Sequence, residues 1–287
     1  MNNEVAIVSE FLYQVYGINT NGYDEFFFKN CIQNRMLKTS YRSLKLYCNY
    51  LKSNKEECGL LVASLNNTFS EFFRNTLTFA YLEQIVLPGL IEKKKKEKHM
   101  EIRIWSAACA SGQEPYSIAI LIDELIRVQK AELSCHIFAT DINQSELSIA
   151  KKGIYPLTTL GKVSTNRLRT YFTRVDQAEN EYQCETFAIT SNLCQYLDFS
   201  VFDLTLEQGS CPQASIYGNF DLVFCNNILF YYKPEYRKRI LAKIGNCLNS
   251  DAFLVTGEAE REIVKENNYR EEYFSSGIFR NIGPNEI

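Results

Sequence analysis

The stretch Glu101–Leu125, EIRIWSAACASGQEPYSIAILIDEL, constrains the fold more than any other part of the chain. Ile102, Ile104 and Trp105 read as a short buried strand, and small residues run from Ser106 to Gly112. Pro115 stands where a first helical turn accepts it, and Ile118, Ala119, Leu121, Ile122 and Leu125 recur at helical spacing. Strand, small-residue loop and helix open an α/β unit whose loop lets a ligand approach backbone N–H groups at a helix N-terminus. Taken alone, the stretch fits either such a ligand loop or a plain strand-to-helix turn. Gly112 stands where a dinucleotide fingerprint needs three glycines, which argues against a dinucleotide oxidoreductase.

A second apolar strand, Cys135–Ala139, ends at Thr140-Asp141. An acid at the end of such a strand can accept both hydrogen bonds of a ribose diol. The competing role for Asp141, or for Asn143, is to cap the helix Gln144–Lys151, and the two residues can divide these jobs. From Glu101 onward the alternation predicts a doubly wound parallel sheet. Strand Ile102–Trp105, helix Tyr116–Arg127, strand His136–Ala139 and helix Ser145–Lys151 come first. Strand Asp221–Cys225, helix Glu235–Leu248 and strand Phe253–Thr256 resume the pattern. Between Gly153 and Asp203 it degrades, and Glu185–Ile189 and Gln195–Phe199 read as short antiparallel strands.

The region before residue 91 reads as helical. Over Glu25–Leu51, helical spacing puts Leu37, Tyr41, Leu44, Cys48 and Leu51 on one side and Arg35, Lys38, Arg42 and Lys45 on another. Such a basic stripe is either a solvated face or a docking surface, and Thr39-Ser40 or Ser43 marks where the helix would split. A helix Phe79–Ile91 leads into the lysine-rich Glu92–Lys98, which reads as an exposed helix end or linker and as the domain boundary. No aromatic residues interleave with these lysines, and the net charge is −3, so a nucleic-acid partner is not expected. The ten cysteines form no C-x-x-C and have only two histidines to join them, which leaves a zinc site without support. They read as reduced thiols of a cytoplasmic protein. Met1–Gly17 carries Glu4 and Glu10 and lacks the basic start of a signal peptide, and no apolar run approaches the ~20 residues of a membrane span.

Three motifs, W-S-A-A-C-A-S-G-Q-E-P-Y-S, F-A-T-D-I and F-D-L-V-F-C-N-N-I-L-F-Y-Y, occur in an order and spacing that resembles the CheR family, S-adenosylmethionine-dependent methyltransferases that esterify glutamates of bacterial chemoreceptors. The resemblance implies an α/β fold: a Rossmann-like methyltransferase sheet, closed by an antiparallel hairpin in Arg261–Ile287, with a small inserted β-subdomain at about 160–200 and an all-helical N-terminal domain before it. The expected division is 1–91 helical, 92–99 linker and 100–287 methyltransferase domain, with the 66–74 segment reaching over the cofactor. By the same resemblance Arg74 and Tyr231 orient the substrate carboxylate. Thr68, Ser70, Arg74, Glu114, Asp141, Asp203, Leu204, Cys225, Asn226 and Asn227 contact the cofactor, with Glu114 on its ammonium and Asp141 on its ribose. The basic stripe would face a helical receptor stalk, and the inserted subdomain is a candidate dock for a receptor's C-terminal peptide. The protein would act as a monomer, without a metal. The family usually has Asn at Thr68 and at Asp203, Glu-Glu at Gln113-Glu114, Arg-Asn at Asn226-Asn227 and His-Ser-Glu at Glu258-Ala259-Glu260. These departures keep open a non-catalytic regulator; the other alternative, an enzyme of the same fold acting on another substrate, is opposed by the basic stripe and the F-F-R segment ending at Arg74.

Glutamate is already ionised at neutral pH, so esterification by an electrophilic methyl donor requires no general base. The scarcity of histidine therefore fits this chemistry and disfavours Ser-His hydrolysis.

Overall fold

The computed structural model describes residues 3–65, 69–98, 101–130, 132–175, 185–206, 209, 211–215 and 218–282. They form two compact units, one of Met1–Asn67 with Ile228–Lys238, the other of Thr68–Asn227 with Arg239–Ile287.

The first unit is built on four helices, α1 (Asn3–Tyr16), α2 (Glu25–Lys38), α3 (Leu44–Ser53) and α4 (Lys55–Leu65). Val8, Leu12, Phe28, Ile32, Tyr47, Leu51 and Leu61 form their shared core. Asp24 caps α2, its carboxylate accepting from Phe26 N (3.0 Å) and Phe27 N (3.1 Å). The helical stretch Glu25–Leu51 is two helices, split at the Thr39-Ser40 site that the sequence marks. Thr39 ends the first, with its hydroxyl bonded back to Arg35 O, and Ser40 turns left-handed (φ 62°). The stripe is thereby broken: Lys38 ends α2, Arg42 lies in the turn and Lys45 belongs to α3. Arg35 also turns inward, pairing with buried Glu57 through Nε (2.9 Å) and Nη2 (2.5 Å).

Residues 228–238 complete this unit. Tyr23 and Tyr232 form an antiparallel bridge and stack with ring centroids 5.4 Å apart. Asp24 N donates to Tyr231 O (2.8 Å) and Lys233 N to Gly22 O (2.9 Å). Gly22 is required by close approach, because a Cβ there would lie 2.9 Å from the Tyr236 ring.

The second unit opens with a helical rod that changes pitch once. Helix α5 (Thr76–Tyr81) passes through a π turn, Leu82–Val86, into α6 (Leu87–Glu97). The lysine run is thus the end of α6, the helix-end alternative rather than the linker, and is part of this unit. Lys94 is 7% exposed and pairs with Asp221 at 2.8 Å. The compact units accordingly divide at Asn67, ahead of the expected boundary, because α6 packs on the sheet.

The sheet follows: β1 (Glu101–Ala107), α7 (Gln113–Gln129), β2 (Ser134–Asp141) and α8 (Gln144–Lys152). A small antiparallel sheet of β3 (Ile154–Pro156), β4 (Phe172–Val175) and β5 (Thr186–Ile189) comes next, with α9 (Thr165–Tyr171) between β3 and β4. This is the inserted subdomain. After α10 (Ser191–Cys194), β6 (Leu197–Val201) leaves it and pairs parallel with β2. Gln195–Phe199, expected as a strand of the insert, thus overlaps an edge strand of the main sheet. Strands β7 (Phe220–Cys225) and β8 (Leu248–Thr256) flank α11 (Pro234–Cys247). Helix α12 (Arg261–Lys265) precedes the antiparallel pair β9 (Tyr269–Glu271) and β10 (Ile278–Asn281). The seven strands run β6-β2-β1-β7-β8-β10-β9, parallel from β6 to β8. The chain moves outward from β1 in one direction and later from β7 in the other. The carboxyl ends of β1 and β7 therefore border the topological switch point, where such sheets bind ligands.

Candidate functional site

The loop after β1 is shaped by left-handed residues. Ala108 (φ 63°), Ala110 (φ 46°) and Gly112 (φ 93°) alternate with Cys109 and Ser111. Gly112 has no room for a side chain, since a Cβ would stand 2.8 Å from Ala150 Cβ. Small residues over Ser106–Gly112 follow from both demands, the backbone conformation and the packing against α8. Tyr155 fixes the loop from the insert by donating to Ser111 O (2.7 Å).

Asp141, at the end of β2, ties down the same loop. Its carboxylate accepts from Ala110 N (2.8 Å) and from Asn143 N (2.8 Å). Burial pushes its carboxyl above the usual range, and the backbone donors partly offset that. Asn143 caps α8, accepting from Ser145 N (3.0 Å), so the two polar residues divide the roles.

Glu114, in the first turn of α7, faces the carboxyl ends of β1 and β7. Its oxygens accept from Ser106 Oγ (2.7 Å) and Asn226 Nδ2 (2.6 Å). Burial raises its carboxyl, while Asn226, Ser106 and the positive charge of Arg74 pull it back. Asn226 Oδ1 and Asn227 Oδ1 are buried without a hydrogen-bond partner among the described residues. A buried acid beside an orphaned amide oxygen suits a positively charged amino group, which donates several hydrogen bonds and accepts none. A left-handed loop, a strand-end acid and this acceptor pair together fit an amino-acid-bearing nucleoside such as S-adenosylmethionine.

Asn227, left-handed at φ 62°, is set by Glu260. That carboxylate is 0% exposed and accepts from Asn227 N (2.6 Å), Thr256 Oγ1 (3.0 Å) and Gly257 N (3.2 Å). Asp203 forms a turn, its Oδ1 accepting from the Thr205 backbone and hydroxyl (both 2.7 Å), and Leu204 is buried. Cys225 is wholly buried at the end of β7, and burial lifts its thiol far above the ordinary value. Ser70 is partly buried, and Thr68 lies outside the described residues.

Arg74 sits between two left-handed residues, Phe73 (φ 50°) and Asn75 (φ 60°). A bulky side chain in that region costs roughly 1–2 kcal/mol, so the neighbours must hold it there. Ser117 is one that does: its Oγ accepts from Phe73 N (3.0 Å) and donates to Gln113 O (2.7 Å). The guanidinium of Arg74 donates to Phe69 O (3.0 Å) and lies 5.1 Å from the Phe69 ring centroid. Tyr231, in the first unit, has its ring 4.5 Å from that of Phe27. Sequence reasoning passed over Ser106, Ser117 and Glu260 as site residues. Ser117 carries a weak signal, a serine one turn beyond Gln113 where a back-bond to the helix is available.

Residues 68–277 match the family described as CheR methyltransferase, SAM binding domain, and residues 3–65 match CheR methyltransferase, all-alpha domain. The chain belongs to the CheR methyltransferase family. Among its relatives, a chemotaxis protein methyltransferase of Borreliella burgdorferi is 27% identical over 90% of this chain and 88% of its own length. Chemotaxis protein methyltransferase 1 of Pseudomonas aeruginosa is 33% identical over 70% of this chain and 69% of its own. The Escherichia coli chemotaxis protein methyltransferase is 27% identical over 88% and 82%. The fold agrees with the CheR expectation: a helical domain precedes a mostly parallel methyltransferase sheet that carries a small antiparallel insert. Among the described residues no helix is long and apolar enough to cross a membrane.

Proposed function

We propose that this CheR family member methylates glutamate side chains on the helical cytoplasmic part of a chemoreceptor, forming methyl esters. The observation that carries the reading is Glu114 with the orphaned Asn226 Oδ1 at the switch point of a CheR methyltransferase domain. When bound, S-adenosylmethionine supplies a methyl made electrophilic by its sulfonium. Glu114 and Asn226 hold its ammonium, and Asp141 spares its remaining lone pairs for the ribose diol. Asp203, Leu204, Asn227 and Ser70 border it. Arg74 draws in and orients the anionic substrate, and Tyr231 assists. Alignment of the reacting atoms and exclusion of water are the protein's contribution, since the substrate carboxylate is ionised without help.

The chain works in the cytoplasm as a monomer. The insert is the place for a receptor's C-terminal peptide where the receptor has one. Lys38, Arg42 and Lys45, all exposed, steer the acidic receptor, whereas Arg35 is committed to Glu57. The double substitution Lys38→Glu with Arg42→Glu should raise KM for a receptor fragment at low salt and leave cofactor affinity unchanged. The effect should shrink as salt shortens the Debye length to ~8 Å. An unaltered KM across a salt series would make these cations a solvated face.

The test of the reaction is methyl transfer from radiolabelled cofactor to a receptor fragment by Arg74→Ala. Loss of one cation at the reacting group should lower turnover ~100-fold or more. Arg74 is partly exposed and its guanidinium lies on Phe69, away from the packed core, so circular dichroism should match wild type. Tyr231→Phe should lose less, because only a hydroxyl is removed. Wild-type turnover by Arg74→Ala would return the arginine to a surface role. No transfer by the wild-type protein to any receptor fragment would favour a regulator that binds without reacting.

A further inference from the structure

The segment carrying Arg74 is gripped by the inserted subdomain. Lys162 pairs with Glu71 at 2.7 Å. Phe72 packs edge-on against Tyr155 (centroids 5.0 Å) and Phe172 (5.4 Å), from β3 and β4. Arg167, in the first turns of α9, lays its guanidinium 4.8 Å from the centroid of the Phe73 ring. Phe73 is the strained residue immediately before Arg74, and a left-handed phenylalanine persists only where its surroundings over-determine it.

Arg167 is itself immobilised. Its Nε donates to Glu124 of α7 (3.1 Å) and its Nη2 to Glu124 (2.7 Å) and to Glu83 (2.9 Å). Glu83 belongs to the π turn, a local widening of the rod of the kind that recurs where a side chain has been re-aimed. The guanidinium thus bonds two carboxylates and lies over the Phe73 ring, and its side chain is 16% exposed. A solvated arginine uses none of these partners; one placed to hold a ring uses all three.

We propose that Arg167 is a positioning residue for methyl transfer: from the inserted subdomain it clamps Phe73 in its left-handed conformation and thereby sets the direction of Arg74. The inference rests on the reading of Arg74 as the group that orients the substrate carboxylate. It gives the insert a second task beside any docking role, since its helix α9 completes the catalytic segment.

The experiment is a double-mutant cycle with Arg74→Ala, Arg167→Lys and their combination. It measures transfer from radiolabelled S-adenosylmethionine to a receptor fragment, with kcat and KM separated and melting as the folding control. Arg167→Lys keeps a cation between Glu83 and Glu124 but removes the plane that rests on Phe73. It should lower kcat about 10-fold or more, as expected for a misdirected group, and leave the receptor KM unchanged. Added to Arg74→Ala it should cause no further loss, because it acts through Arg74. In cofactor-free Arg167→Lys, amide hydrogen exchange at Phe73 and Arg74 should quicken about tenfold, without any reference to catalysis. A wild-type kcat in Arg167→Lys overturns the proposal, and so does the same fractional loss in both backgrounds, the mark of a merely less stable fold. If Arg74→Ala turns over like wild type, the catalytic reading of Arg74 falls instead. The clamp then stands or falls on the exchange rates.

Discussion

Arg35→Glu should unfold the N-terminal helical unit. Glu57 is 3% exposed and gathers both Arg35 nitrogens and the Tyr47 hydroxyl (2.8 Å). The bonds from Arg35 and Tyr47 hold its carboxyl below the usual range against the opposing effect of burial, and Glu57 in turn raises Arg35. Breaking a buried pair costs about 3–5 kcal/mol, and reversal adds repulsion between two carboxylates. That is a large share of the 5–15 kcal/mol typical of a whole domain. Thermal melting followed by circular dichroism should show early loss of helix, whereas Lys38→Glu should stay within about 0.5 kcal/mol of wild type. Because the folded carboxyl is depressed, the pair's stabilisation is complete above the ordinary Glu range. It fades as pH falls through that range toward the folded value, so the wild-type and Arg35→Glu melting curves should converge in acid. A variant that melts like wild type at neutral pH would show that the pair contributes nothing.

Glu114→Gln should bind S-adenosylmethionine and its demethylated product far more weakly while stabilising the ligand-free fold. The lost charge-assisted hydrogen bond to the ammonium is worth about 1.5–3 kcal/mol, or roughly 10–100-fold in affinity by calorimetry. The stability change runs the other way. Burial lifts the folded carboxyl of Glu114, so as pH rises through and above the ordinary Glu range the ligand-free protein loses stability by ionising it. Glutamine carries no such charge. It can also keep both bonds, since a flip of Asn226 offers its unpartnered Oδ1 to the new amide while Ser106 still donates. The melting temperature of the variant should exceed wild type at pH 7.5, and the gap should narrow at pH 5. A lower melting temperature at pH 7.5 would mean that Glu114 is a structural anchor rather than a strained ligand group.

The parts of this molecule that were legible in the sequence are those in which chemistry and periodicity lie within one short window. The path from Ile102 to Leu125 is such a window, and so is the acid that ends β2. The parts that were not legible depend on a distant partner. Arg35 looked like one of four equivalent cations because Glu57, which takes it out of the stripe, lies on another helix. The α2–α3 break was marked by Thr39-Ser40, but that Ser40 turns left-handed there was not. Lys94 was hidden in a run of like residues, yet it alone of that run is buried, its partner being a carboxylate on β7. Leu197–Val201 misled for a different reason. At the edge of the sheet it is nowhere fully buried, so it lacks the continuous apolar run of an inner parallel strand. Arg167 was unreadable, and Ser117 left only a weak trace, because their meaning lies in Phe73, a residue held in a shape its own type disfavours.

The capture of residues 228–238 by the first unit has a consequence for how the chain is born. Synthesis delivers the four helices before residues 228–238, and domains generally fold as they emerge. Here the helical unit cannot be finished when its helices leave the ribosome. Tyr232, which stacks on Tyr23, and Lys233, whose N–H meets Gly22 O, arrive only after most of the sheet has been made. The order of assembly is therefore not the order of the sequence: the helical unit is completed by a segment that follows four strands of the larger sheet.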